Sequence, residues 1–182
     1  MSLARNLARL FPNASGLLPN ANIEAMAASK LTGQVPDANA PSGSVIQVVN
    51  ATRAGSSVTT TSTSDVSWGA TASITPTSSS SKIYVIASGG YFLQAGTATE
   101  YGIAIQRNGV TIPTGGNDGL TGVYGAGLLG GPYAITILDS PATTSSTTYL
   151  VVAHNINSGT SALTNGVRAT QLNEITLMEI AA

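Results

Sequence analysis

The spacing of apolar positions changes once along the chain, and that change divides it. Leu3, Leu7, Leu10 and Phe11 recur at i, i+4, i+7 and i+8, with Arg5 and Arg9 away from that stripe. This is the period of one helix face. Ser2 stands where an N-cap would, and Pro12 where the helix must stop. Two or three turns do not hold alone in water, so the leucine face is expected to order only against something else: the chain's own domain, a sister subunit or another protein. An internal repeat follows. Ser15-Gly16-Leu17-Leu18-Pro19-Asn20-Ala21-Asn22 matches Thr32-Gly33-Gln34-Val35-Pro36-Asp37-Ala38-Asn39 at an offset of 17 residues. Two copies are too few for a solenoid. Residues 1–43 therefore read as an extended N-terminal arm, with one short amphipathic helix and two proline elbows.

From residue 44 the period becomes two. Val45–Val49, Val58–Thr63, Ala70–Thr75, Lys82–Ser88, Tyr101–Arg107, Val110–Ile112, Ala134–Leu138, Tyr149–His154 and Gln171–Ile180 are rich in Val, Ile, Thr and Tyr. Each is bounded by Gly, Pro, Ser or Asn, the punctuation of strands. Asn108-Gly109 between two of them is a strong hairpin signal, because a type I′ turn needs positive φ at both central positions. The pattern predicts an all-β domain over 44–182, an antiparallel β-sandwich or jelly roll. Two of its strands are apolar on both sides. In Lys82–Ser88, Ile83, Val85 and Ala87 alternate with Tyr84 and Ile86; in the last strand, Ile175 and Leu177 alternate with Leu172, Met178 and Ile180. An antiparallel sheet commonly keeps one wet face, so a sister subunit or a loop of the same domain is expected to cover the second one.

Composition narrows the chemistry. Charged residues are 8% of the 182, with seven Lys+Arg against eight Asp+Glu, where an ordinary domain has about 25%. The 21 Ser and 23 Thr make the surface polar through hydroxyls instead. Seven scattered cations give no basic footprint for nucleic acid, and no apolar run approaches the length of a membrane span. Cysteine is absent, which removes disulfides and thiolate chemistry. The acids form no metal box, and His154, the single histidine, continues a strand with no nucleophile elbow near it. It reads as a strand-end or core histidine. No enzyme, metal or cofactor is expected.

Gly115 to Gly131 reads as a long surface loop without a phosphate-binding pattern. Trp68, Tyr91, Phe92, Tyr101, Tyr124 and Tyr133 could form a sugar-stacking platform, with Trp68, Tyr101 and Tyr124 as its candidate contacts, although aromatics in strands more often belong to the core.

Several segments in order carry a resemblance: Ser44-Val-Ile-Gln-Val-Val, Ala72-Ser-Ile-Thr-Pro-Thr-Ser-Ser-Ser-Ser-Lys-Ile-Tyr-Val, Ile105-Gln-Arg-Asn-Gly-Val-Thr-Ile, Leu138-Asp-Ser-Pro-Ala-Thr-Thr-Ser-Ser-Thr-Thr-Tyr and Glu174-Ile-Thr-Leu-Met-Glu-Ile-Ala-Ala. Together they resemble a C-terminal β-domain of tailed-phage virion proteins, notably tail fibres. That resemblance implies a homotrimer, with Tyr84, Ile86, Met178 and Ile180 as trimer contacts, made in the host cytoplasm and carried on the virion. With only 43 residues ahead of the domain, the expectation is a capsid decoration (cement) protein. Leu3, Leu7, Leu10, Phe11, Leu17, Leu18, Ile23, Met26 and Val35 of the arm would then dock on the major capsid protein. The alternative is a short tail-fibre or adsorption knob, joined to tail proteins and binding a host glycan through the Gly115–Gly131 loop and the aromatics Trp68, Tyr101 and Tyr124.

Overall fold

A computed structural model of the chain describes residues 40–53, 57–112, 121–157, 161–165 and 172–182. The expected arm helix and the docking residues Leu3, Leu7, Leu10, Phe11, Leu17, Leu18, Ile23, Met26 and Val35 lie outside these residues.

Every regular element among the described residues is a strand: β1 (Val45–Thr52), β2 (Thr59–Thr60), β3 (Val66–Ile74), β4 (Lys82–Arg107), β5 (Val110–Ile112), β6 (Thr121–Asp139), β7 (Thr147–Asn155), β8 (Ala162–Asn165) and β9 (Glu174–Ile180). All pairings are antiparallel. The long β4 organises them. Along one edge it pairs in turn with β9 (Lys82–Ser88), β8 (Tyr91–Gln94) and β7 (Tyr101–Arg107). Along its other edge lie β6, from Ile83 to Gly102, and β5. β1 extends the sheet beyond β9, β3 extends it beyond β7, and β3 packs back against β1 and β9. The result is one antiparallel sheet curled into a nearly closed barrel.

Strand alternation fills that barrel. Ile83, Val85 and Ala87 of β4, Ile175 and Leu177 of β9, and Trp68, Ala70, Ala72 and Ile74 of β3 all turn inward and are buried. So do Tyr101, Ile103 and Ile105 of the second half of β4, and Tyr149, Val151 and Ala153 of β7. Full burial of one such Val, Ile or Leu side chain is worth about 1.5–3 kcal/mol. The Asn108-Gly109 hairpin forms as expected, with φ of 48° and 84°. The Asn108 side chain accepts the Thr148 amide at 2.8 Å, which ties the turn to β7.

Two expectations are corrected. Residues 121–131 are not loop but the first part of β6, in register with β4 from Tyr91↔Gly131 to Gly102↔Gly122. Glycine is a poor strand former, and here the partner compensates: the Tyr91 ring lies 3.1–3.4 Å from where a Gly131 Cβ would stand, covering the bare backbone. Lys82–Ser88 and Tyr101–Arg107 are likewise the two ends of one strand, interrupted by an irregularity between Ala95 and Thr99.

Candidate interaction face

The wall made by β1, β9, the first half of β4 and the second half of β6 has an inner face in the core. Its outer face carries apolar side chains as well. Register places Val48 opposite Met178, Met178 opposite Tyr84, and Tyr84 opposite Leu138. These four side chains form one apolar row across all four strands. Val48 is 55% exposed and Leu138 53%, while Met178 and Tyr84 in the middle are half-buried between their neighbours. Ile180 and Val45 continue the apolar surface on one side of the row, and Ile86 continues it on the other. The four sequence candidates Tyr84, Ile86, Met178 and Ile180 are thus brought together on one face. Val48 and Leu138 were missed, because β1 and β6 each look like ordinary half-buried strands until their neighbours are known.

The polar groups of this face are mostly occupied with one another. Asn50 Nδ2 donates to Thr176 Oγ1 at 2.8 Å, and Ser88 Oγ donates to Glu174 Oε1 at 3.2 Å. Lys82 and Glu174, at opposite ends of the β4–β9 pairing, are the charges that these two strands contribute. Four strands at ~4.8 Å spacing and seven residues at ~3.3 Å rise give a flat footprint of roughly 440 Å². The apolar row fills part of that footprint, and a contiguous exposed apolar patch on a domain is often functional.

The aromatic candidates separate. Trp68 and Tyr101 are both 0% exposed, so neither can stack on a sugar, and that assignment is withdrawn for them. Trp68 sits in the core 5.5 Å from the Tyr133 ring. The Tyr101 hydroxyl lies 3.2 Å from the Thr60 carbonyl, bonds the Ser161 carbonyl and accepts Asn155 Nδ2 at 3.2 Å, fastening β2 and the start of β8 to β4. Tyr124 alone of the three is on the surface, 68% exposed on β6.

Three polar clusters hold the barrel ends. The Glu179 carboxylate, 0% exposed, accepts Gln47 Nε2 at 2.5 Å, the Thr77 amide at 2.8 Å and the Thr77 hydroxyl at 2.7 Å. Burial alone would raise its pKa, but Gln47, the nearby Ser81 hydroxyl and Thr77 outweigh burial and hold it below the usual carboxylate range. Asp139 takes Arg107 Nη1 at 2.7 and 2.8 Å and the Tyr149 hydroxyl at 2.7 Å. Burial, followed by that bond and charge, pushes the Tyr149 phenol up.

In the third cluster, Asp65 accepts Gln106 at 2.7 Å and Thr111 at 2.8 Å, and lies 2.8 Å from His154 Nδ1. Partial burial raises the Asp65 pKa, and the contacts from Thr111, His154 and Gln106 more than reverse that. The expected strand position of His154 is found on β7. Its aspartate contact is the kind that orients a catalytic histidine; here the same aspartate is also committed to β4 and β5 through Gln106 and Thr111. Among the described residues no group of three or more His, Asp or Glu could hold a metal ion.

No protein-family model matches this chain, and no curated protein matches it.

Proposed function

We propose that this chain is a structural, non-enzymatic protein of a phage particle, a capsid decoration protein. Its β-domain self-associates as a trimer through the outer face of the β1–β9–β4–β6 wall, and its N-terminal arm docks on the capsid shell. The observation that carries the self-association is the row Val48–Met178–Tyr84–Leu138, apolar across four strands on the side away from the core. A second copy is the occupant that fits, because a face almost without charge offers nothing to an ionic ligand and suits the equally uncharged surface of another copy. The virion setting rests on the resemblance of residues 44–182 to phage β-domains.

Light scattering on the full chain tests the first part. The expected mass is three chains, and Met178→Glu, which puts a charge in the middle of the face, is expected to give a monomer. A monomeric wild type, or a Met178→Glu variant that still associates, refutes it. Copy number in purified particles tests the setting: hundreds per particle are expected for a shell protein. A dozen or so would instead favour the adsorption-knob reading, whose support is the exposed Tyr124 ring on β6.

A further inference from the structure

The outer face is too small to explain a stable assembly by itself. Its roughly 440 Å² compares with about 800 Å² that each partner contributes to a standard specific interface. A second uncovered surface adjoins it. Among the described residues β6 pairs with β4 alone, so its other edge, from Thr121 to Asp139, leaves backbone N–H and C=O groups unpaired. Open edges are normally protected by charged side chains, yet residues 121–138 contain no Lys, Arg, Asp or Glu. Pro132 is the one residue there that cannot donate. The first part of this strand also carries large exposed apolar side chains on its outer side: Tyr124 and Leu128 are each 68% exposed, whereas Leu129, opposite the buried Leu93, turns to the inner side over Gly125.

We infer that these two surfaces belong to one contact between copies of this chain: the β6 strip around Tyr124 and Leu128 of one copy lies against the β1–β9–β4 face of the next. This deepens the self-association proposed above and rests on it. Stacking the face on itself, two-fold fashion, would bury one footprint per copy and leave both β6 strips in water. An edge-to-face contact covers the strip and the face of every copy. Its two sides differ, so it is heterologous, and such contacts either close into rings or run on as filaments. A closed ring of any number uses every strip and face without a remainder, and the trimer proposed above makes that number three.

The experiment uses two full-length variants, Leu128→Arg, which breaks the strip and spares the face, and Met178→Glu, which does the reverse. Circular dichroism confirms that each retains the wild-type strand spectrum. Each is expected to be monomeric alone by native mass spectrometry. Mixed, they are expected to form a one-to-one heterodimer and nothing larger, since one intact strip meets one intact face and no further contact remains. If Leu128→Arg still assembles as the wild type does while Met178→Glu does not, the edge-to-face arrangement is overturned and the face-mediated reading survives. The arrangement is equally overturned if both are monomeric and the mixture stays so. If Met178→Glu assembles normally, the underlying reading itself is at fault.

Discussion

Glu179 offers the sharpest test of how this fold is held. Its carboxylate is inside the barrel at 0% exposure and collects three hydrogen bonds of 2.5–2.8 Å from Gln47 and Thr77. Through these it joins β9 to β1 and to the connection between β3 and β4. Bonds to a charged group are worth about 1.5–3 kcal/mol each, and a buried donor left without a partner costs about 1–3 kcal/mol. In Glu179→Ala, Gln47 Nε2 keeps its bond to the Thr75 carbonyl at 2.7 Å, but the Thr77 amide and hydroxyl lose the acceptor they share. The expected loss is about 3–5 kcal/mol, the range for breaking a buried polar cluster from one side. Glu179→Gln keeps shape and one acceptor oxygen but turns an NH2 toward donors, so about 1.5–3 kcal/mol is expected.

The pH dependence has a definite sign. The folded pKa lies below the unfolded value, so the carboxylate's contribution is complete above an unfolded pKa of about 4.3 and is lost as pH falls through the folded value. Urea unfolding of the wild type and Glu179→Gln at pH 7, repeated toward pH 3, should show a stability gap that narrows below about pH 4.3. Equal stability of the two at pH 7, or a gap that persists undiminished in acid, would refute the reasoning.

Other perturbations reach different parts of the barrel. A Cβ at Gly69 would stand 2.6 Å from Val151 Cβ; both atoms are fixed to backbone, so Gly69→Ala should cost about 1–3 kcal/mol by overpacking, measured by thermal or urea unfolding. Gly109 is the converse case, with φ of 84° and nothing within 4 Å of a would-be Cβ. Gly109→Ala should lose only the left-handed conformational penalty of about 1–2 kcal/mol, and a much larger loss would show that the turn has contacts beyond its backbone. Tyr101→Phe removes the hydroxyl that bonds the Ser161 carbonyl and accepts Asn155 Nδ2. It should destabilise by about 1–3 kcal/mol, with hydrogen-exchange protection falling first around β2 and β8.

Strand parity explains both what could be read in the chain and what could not. Alternation in Lys82–Ser88 and Glu174–Ile180 was enough to set Tyr84, Ile86, Met178 and Ile180 on the side opposite Ile83, Val85, Ile175 and Leu177; burial then shows which side is the core, and register sets the two strands side by side. The same parity puts Glu179 with Ile175 and Leu177 on the inner side. A carboxylate there looks like an error until Gln47 and Thr77 arrive from 132 and 102 residues away. Local pattern carries the side a residue takes, not the partner that makes that side tolerable.

The first part of β6 failed for the opposite reason. Gly122, Gly125, Gly127, Gly130 and Gly131 erase the alternation that marks a strand, and local propensity points to loop. What makes it a strand is non-local: β4 runs on past Ser88 and offers a row of backbone partners, interrupted only between Ala95 and Thr99, and Tyr91 folds over Gly131. A strand formed by its partner rather than by its own side chains has little to put over its free edge. In β6 the exceptions are Tyr124, Leu128 and Leu129, large apolar groups in a stretch otherwise mostly of glycine, alanine and valine. Tyr124 and Leu128 contribute little to the core, since each is 68% exposed. The place of Tyr124 and Leu128 is therefore accounted for by a contact made outside the domain, whereas Leu129 lies over Gly125 and Tyr91 over Gly131 within it.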